Sequence, residues 1–143
     1  MVIVAPVDRS TRASDVLSEA ASVSEAFEEP VHVVHVLSRA AFVDLGTSRA
    51  RAGDPVDMED VREAAADIAA EAAADLDVPF EAVGLMGDPA STVVEYATDH
   101  DTRYIVVAGR KRSPAGKVLF GSTAQSILLN ATCPVIMSIS SPE

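Results

Sequence analysis

The chain has 143 residues, 48% of them hydrophobic, with 22 Asp+Glu against 11 Lys+Arg and a formal net charge of −11. That length suits one domain with its own core, and so much apolar residue excludes a disordered tail. The negative charge argues against nucleic acid and acidic membrane surfaces as partners.

Aromatic residues make up only 4% and Trp is absent, so the core must be aliphatic. The cations are nine Arg and two Lys; abundant short carboxylates with little Lys suit a protein that must stay hydrated in molar salt. The single cysteine, Cys133, excludes an intramolecular disulfide and a cysteine-cluster metal site. The opening apolar run is too short for a secretion signal and contains Pro6, and no stretch of about 18 apolar residues spans a membrane. The expected location is the cytoplasm.

In chain order, residues 2–7 predict a first strand. Residues 11–27 predict a helix with Ala13, Val16, Leu17, Ala20, Val23 and Phe27 on one face and Ser10 or Thr11 as cap. A second strand follows at 31–37. Residues 38–56 form the one long irregular stretch, with Gly46, Gly53 and Pro55, and read as a functional lid or a mobile insert. A second helix, 57–76, is rich in Ala and keeps Val61, Ala65, Ile68, Ala72 and Leu76 in register.

A weaker third strand spans 80–85. Asp88-Pro89 then opens a helix over 90–99 that carries Val93, Val94 and Ala97. The fourth strand, 104–108, is nearly all apolar, as is the first, which is what strands buried on both faces require. After a loop at 109–121 comes a last helix, 122–131, with Ser122 as cap and Ala124, Ile127, Leu128 and Ala131 along one side. Thr132-Cys133-Pro134 stops it before a fifth strand at 135–139. Strands alternating with helices predict right-handed crossovers and a doubly wound α/β fold with a five-stranded parallel sheet.

Ligands of such sheets bind beyond the carboxyl ends of the strands, where the strand order reverses. Asp8, Leu37-Ser38 and the loop 109–121 fall at such ends. Arg110, Lys111, Arg112 and Lys117 put four of the eleven positive charges within eight residues of that loop. The patch is bracketed by glycines and leads into a helix N-terminus, an arrangement that suits a phosphate. A solvated basic turn is the alternative. Gly116-Lys117-Val118 departs from a Walker loop, which needs Ser or Thr after the lysine.

His32 and His35 point to opposite faces of their strand, and His100 ends a helix, so the histidines form no metal site. Cys133 reads as a small core residue. No serine-hydrolase pattern is present, and no base beyond Asp8 is placed to activate water, so an enzyme is not expected.

Taken together, these segments resemble the universal stress protein family over essentially the whole chain. Val4-Ala5-Pro6-Val7-Asp8-Arg9-Ser10 is similar to its first strand and turn, and His35-Val36 to its second strand. Gly87-Asp88-Pro89-Ala90 resembles the start of its third helix, and Gly121-Ser122 with Cys133-Pro134-Val135 its closing helix and last strand. The resemblance implies an adenine nucleotide alpha-hydrolase-like, Rossmann-like sandwich that dimerises through the last strand, between Pro134 and Ile139. With the acidic composition it points to a halophilic archaeal member.

One branch of the family binds ATP and another does not. The binding branch has a phosphate loop of Gly, two residues, Gly, nine residues, then Gly-Ser or Gly-Thr. Gly109 and Gly121-Ser122 match its ends, position 112 is Arg instead of Gly, and the loop is one residue shorter, with Gly116 and Pro114 available to rebuild the turn. The resemblance implies that Pro6, Val7 and Asp8 lie by the adenosine and that the Val36 backbone recognises adenine. Ala108, Gly109, Gly121, Ser122 and Thr123 would lie by the phosphates, aided by Arg110, Arg112, Gly116 and Lys117, with any Mg²⁺ carried by the nucleotide. Each key residue also has a plain role: Asp8 as a turn-forming acid, Ser122 as a helix cap, Val36 as core. Two functions therefore stay open, an ATP-binding regulatory module and an interaction protein of the same fold acting through protein partners.

Overall fold

The computed structural model describes residues 1–44, 57–112, 117–119 and 121–140. The elements run β1 (Val2–Pro6), α1 (Arg12–Phe27), β2 (Val31–Leu37), α2 (Arg39–Asp44), α3 (Met58–Ala72), β3 (Phe80–Met86), α4 (Pro89–Asp99), β4 (Thr102–Arg112), β5 (Lys117–Leu119), α5 (Ser122–Asn130) and β6 (Val135–Ser140). Five strands are parallel, in the order β3-β2-β1-β4-β6, and the short β5 runs antiparallel to β4. The chain builds outward from β1 to β3, then crosses back to β4 on the other side of β1. The carboxyl ends of β1 and β4 are thus the switch point of a Rossmann-like sheet.

The apolar runs alternate between two helical layers, as a strand's period of two dictates. Ile3, Ala5, Val31, Val33 and Val106 pack against α1 and α3. Val4, Val34, Ile105 and Val107 pack against α4 and α5. Because both layers are filled, β1, β2 and β4 read as near-continuous hydrophobic stretches.

Helix starts follow local chemistry. The Asp57 side chain accepts from the Glu59 N–H at 3.0 Å and caps α3. Asp88 caps α4 by accepting from the Ser91 N–H at 3.1 Å, with Pro89 in the first turn. The two hydrogen bonds from Ser91 hold the Asp88 carboxyl below its usual range. Just before it, Gly87 takes a φ of 142° that a side chain would strain.

Four expectations are corrected. The helix expected over 57–76 ends at Ala72, and Ala73-Ala74-Asp75 turns away toward β3. The stretch 38–56 is not wholly irregular: the Ser38 hydroxyl accepts from the Ala41 N–H at 3.0 Å and starts α2, whose Phe42 joins Leu37, Val61 and Ala65 in a small apolar cluster. Gly46, Gly53 and Pro55 lie outside the described residues. The loop expected at 109–121 begins as strand, because β4 runs on to Arg112 and returns as β5. The cap of the last helix is Gly121 and not Ser122. Gly121 has an extended backbone, its carbonyl accepts the first helical bond from the Gln125 N–H at 3.0 Å, and no side chain caps the turn.

Candidate functional site

A cavity of about 350 Å³ opens at the switch point, within the range of small-molecule sites. Pro6, Val7 and Asp8 from the end of β1 form one side of it, Val34, His35 and Val36 from β2 another, and Val107 and Ala108 from β4 a third. Arg12, Ala13 and Val16 of α1, Pro89 and Val93 of α4, and Gly121, Ser122, Thr123, Ala124 and Ile127 complete it. The lining is aliphatic, with polar groups from the first turns of α1 and α5.

Two of the polar groups, Asp8 and His35, are held by their neighbours. The Asp8 carboxylate accepts from the Ser10 N–H at 2.8 Å and from the Ser10 hydroxyl, and that hydroxyl oxygen accepts from the Arg12 N–H at 3.2 Å. This relay of local bonds turns the chain from β1 into α1. Inside, the Nδ1 of buried His35 lies 2.7 Å from the Val7 carbonyl oxygen. A carbonyl can only accept, so Nδ1 carries the proton and ties the end of β2 to the end of β1.

Across the cavity, α5 presents its N-terminus. Its first-turn N–H groups, those of Ser122, Thr123 and Ala124, have no partner within the helix, its cap residue has no side chain, and no acid lies in its first turn. Those free N–H groups and the helix dipole make this end favourable for an anion. The guanidinium of Arg12 reaches over from α1: a β-carbon at Gly121 would stand 3.7 Å from its Nη1.

Residues 1–138 match the universal stress protein family. The chain belongs to that family. It is 24% identical over 135 residues to a universal stress protein of Methanocaldococcus jannaschii, covering 94% of this chain and 79% of the relative. A universal stress protein structure from Archaeoglobus fulgidus is 32% identical, with a TM-score of 0.60 over 95% of this chain and 96% of the other. Another, from the same organism and in complex with dAMP, is 24% identical, with a TM-score of 0.58 over 95% and 94% of the two chains.

Within this universal stress protein, Pro6, Val7, Asp8, Val36, Ala108, Gly121, Ser122 and Thr123 are gathered around the one cavity. Asp8 also does what a turn-forming acid does. Gly109 is not in the lining; it is paired in the sheet with Ile139. Arg110, Lys111, Arg112 and Lys117 belong to the β4–β5 hairpin instead of an open loop. Arg110 pairs with Ser140 on one edge of β4 and with Leu119 on the other, so β5 lies on the edge that β1 occupies lower down. The hairpin therefore extends the sheet past the end of β1. Gly116 lies outside the described residues.

Two polar lining residues, Arg12 and His35, were not among those expected from the sequence. Arg12 looks like any polar residue in the first turn of a surface helix, and no periodicity marks it. His35 was legible: it stands at the carboxyl end of β2, one residue before Val36, on the face toward α1.

The other histidines lie elsewhere. His32 faces α4, its Nδ1 2.6 Å from the Tyr96 hydroxyl and its Nε2 3.4 Å from Glu81. Burial pushes the His32 pKa down, against the pull of Glu81, and burial pushes Tyr96 up to about 12. His100 stacks on the Tyr96 ring with centroids 3.9 Å apart and hydrogen-bonds the Tyr96 carbonyl through Nδ1 at 2.8 Å. No group of three or more metal-binding side chains occurs among the described residues. Cys133 packs at the edge of the α4–α5 layer, and burial raises its thiol pKa, away from nucleophilic reactivity. No described helix is long and apolar enough to cross a membrane.

Proposed function

We propose that this universal stress protein is a cytoplasmic regulatory module that holds an adenine nucleotide, ATP or a shorter form, without turning it over. The observation that carries the reading is the cavity at the switch point, with an aliphatic body and the uncapped N-terminus of α5 at its polar end. That a similar protein is known in complex with dAMP supports it. The adenosine would lie by Val36, Asp8 and the backbone of Pro6 and Val7. The phosphates would lie over Gly121, Ser122 and Thr123, toward the hairpin that carries Arg110, Arg112 and Lys117, with any Mg²⁺ brought by the phosphates.

The alternative, an interaction protein without nucleotide, is favoured by one observation. Gly109 to Arg112 are strand residues paired in the sheet, so this stretch is not a free phosphate loop.

The net charge of −11 supports an origin in a salt-rich cell, so the test belongs in molar KCl. A ligand at about a hundred times its dissociation constant adds roughly 2.7 kcal/mol. For a chain of this size that raises the melting temperature by on the order of 10 °C. Such a rise with Mg-ATP or AMP supports the nucleotide module; none at millimolar nucleotide turns the function toward protein partners.

A homodimer through β6 is part of the same proposal. β6 pairs with β4 on one edge, and its own Ile139 is 48% exposed, with Leu128 at 43% and Leu129 at 73% on α5. An apolar edge needs cover, which a two-fold copy supplies. Sedimentation equilibrium at micromolar protein should give twice the monomer mass; a monomer in high salt overturns the dimer.

A further inference from the structure

We propose that Arg12 is a ligand-binding residue of this cavity, closing a seat for one phosphate group against the N-terminus of α5. The inference rests on the nucleotide reading and adds to it the side chain that tells a nucleotide from a nucleoside.

Arg12 begins α1, lines the cavity and is half-buried, with its Nη1 3.7 Å from the β-carbon position of Gly121. The positive end of α5 and the guanidinium therefore face each other with no acidic residue in the first turn of α5. The chain has two acids for every base, and Arg62 and Arg103 pair with Glu59 and Glu29. Arg12 has no carboxylate partner among the described residues. Two positive groups held together without a counter-charge are an arrangement that an anion completes. The planar guanidinium offers a phosphate two parallel N–H bonds, beside those of the α5 amides.

Deeper in the same cavity lies His35. His35 is only 8% exposed, and its Nδ1–H is engaged by the Val7 carbonyl oxygen. Its Nε2 has no partner among the described residues. Among those residues no fully buried side-chain nitrogen or oxygen lacks a hydrogen bond, so Nε2 is open to the space that His35 lines, which is the cavity. With the proton on Nδ1, Nε2 is an acceptor and calls for a donor on the ligand, such as a sugar hydroxyl or an exocyclic amine. An acceptor in the wall and a cationic mouth together describe a ligand with a donor-bearing body and one anionic end, which is a nucleoside monophosphate or the first phosphate of a longer chain.

The test is calorimetric titration of adenosine and of AMP into the full chain and into Arg12→Gln and Arg12→Lys, in molar KCl. Loss of a hydrogen-bonded charge predicts AMP binding about tenfold to a hundredfold weaker in Arg12→Gln, with adenosine binding unchanged and AMP binding partly restored in Arg12→Lys. Unchanged AMP affinity in Arg12→Gln overturns the inference and leaves the nucleotide reading standing. So does equal affinity of the unmodified protein for adenosine and AMP. Parallel loss of both ligands in Arg12→Gln also overturns it, since Arg12 would then shape the cavity without meeting the phosphate. An unmodified protein that binds neither ligand overturns it too, and one that also shows no thermal shift with Mg-ATP ends the nucleotide reading as well.

Discussion

Gly84→Ala should be the most damaging small substitution in the sheet. A β-carbon there would stand 1.9 Å from the Arg62 carbonyl oxygen and 2.4 Å from the Ala66 nitrogen, both backbone atoms of α3. A flexible side chain could swing away; a helix backbone cannot. To admit one methyl group, α3 must lift off β3, and Val61, Ala65 and Ala69, the fully buried residues of α3 itself, lose their packing together. Overpacking of this kind costs roughly 3 kcal/mol or more, a large share of the 5–15 kcal/mol that typically holds a domain together. Thermal denaturation followed by circular dichroism should show a melting temperature lower by on the order of 10 °C. A variant that melts with the unmodified protein would mean that α3 does not lie this close to β3.

The same contact shows where sequence reasoning stopped. The strand expected at 80–85 is the weaker one in the sequence, and the Gly84 within it is what lets α3 approach β3. The two outer layers, by contrast, were legible, because Ile3 and Ala5 alternate with Val4 as a strand buried on both faces demands. The caps at Asp57 and Asp88 act over two or three residues and could be read or checked locally.

What could not be read was anything made by non-local pairing. The basic stretch 110–117 has the composition of a loop, yet Arg110 to Arg112 are held as strand by partners at Lys117 to Leu119 and, for Arg110, at Ser140. Arg12 belongs to the site only because α1 and α5 start side by side across the switch point, 110 residues apart in sequence. The cavity's backbone positions were named from the family resemblance, and His35 stands at a readable strand end, but Arg12 needed coordinates.

Gly121→Val should abolish nucleotide binding while leaving the fold intact. Gly121 has φ −64° and ψ 165°, an extended conformation that a β-branched residue adopts readily. Among the described residues its β-carbon would meet only the Arg12 guanidinium, at an ordinary contact distance of 3.7 Å. The ligand-free melting temperature should therefore move little. The two methyl groups of valine, however, enter the gap between Arg12 and the first N–H groups of α5, where the proposed phosphate sits. Blocking two charge-assisted hydrogen bonds, each worth about 1.5–3 kcal/mol, predicts affinity lower by on the order of a hundredfold or more. The thermal shift with AMP should shrink to a small fraction of its value. Gly121→Ala provides the graded control, because its single methyl makes an ordinary contact and should keep most of the shift. If Gly121→Val retains the full shift, the phosphate is not at the head of α5, and the hairpin cations at Arg110, Arg112 and Lys117 become the place to look for it.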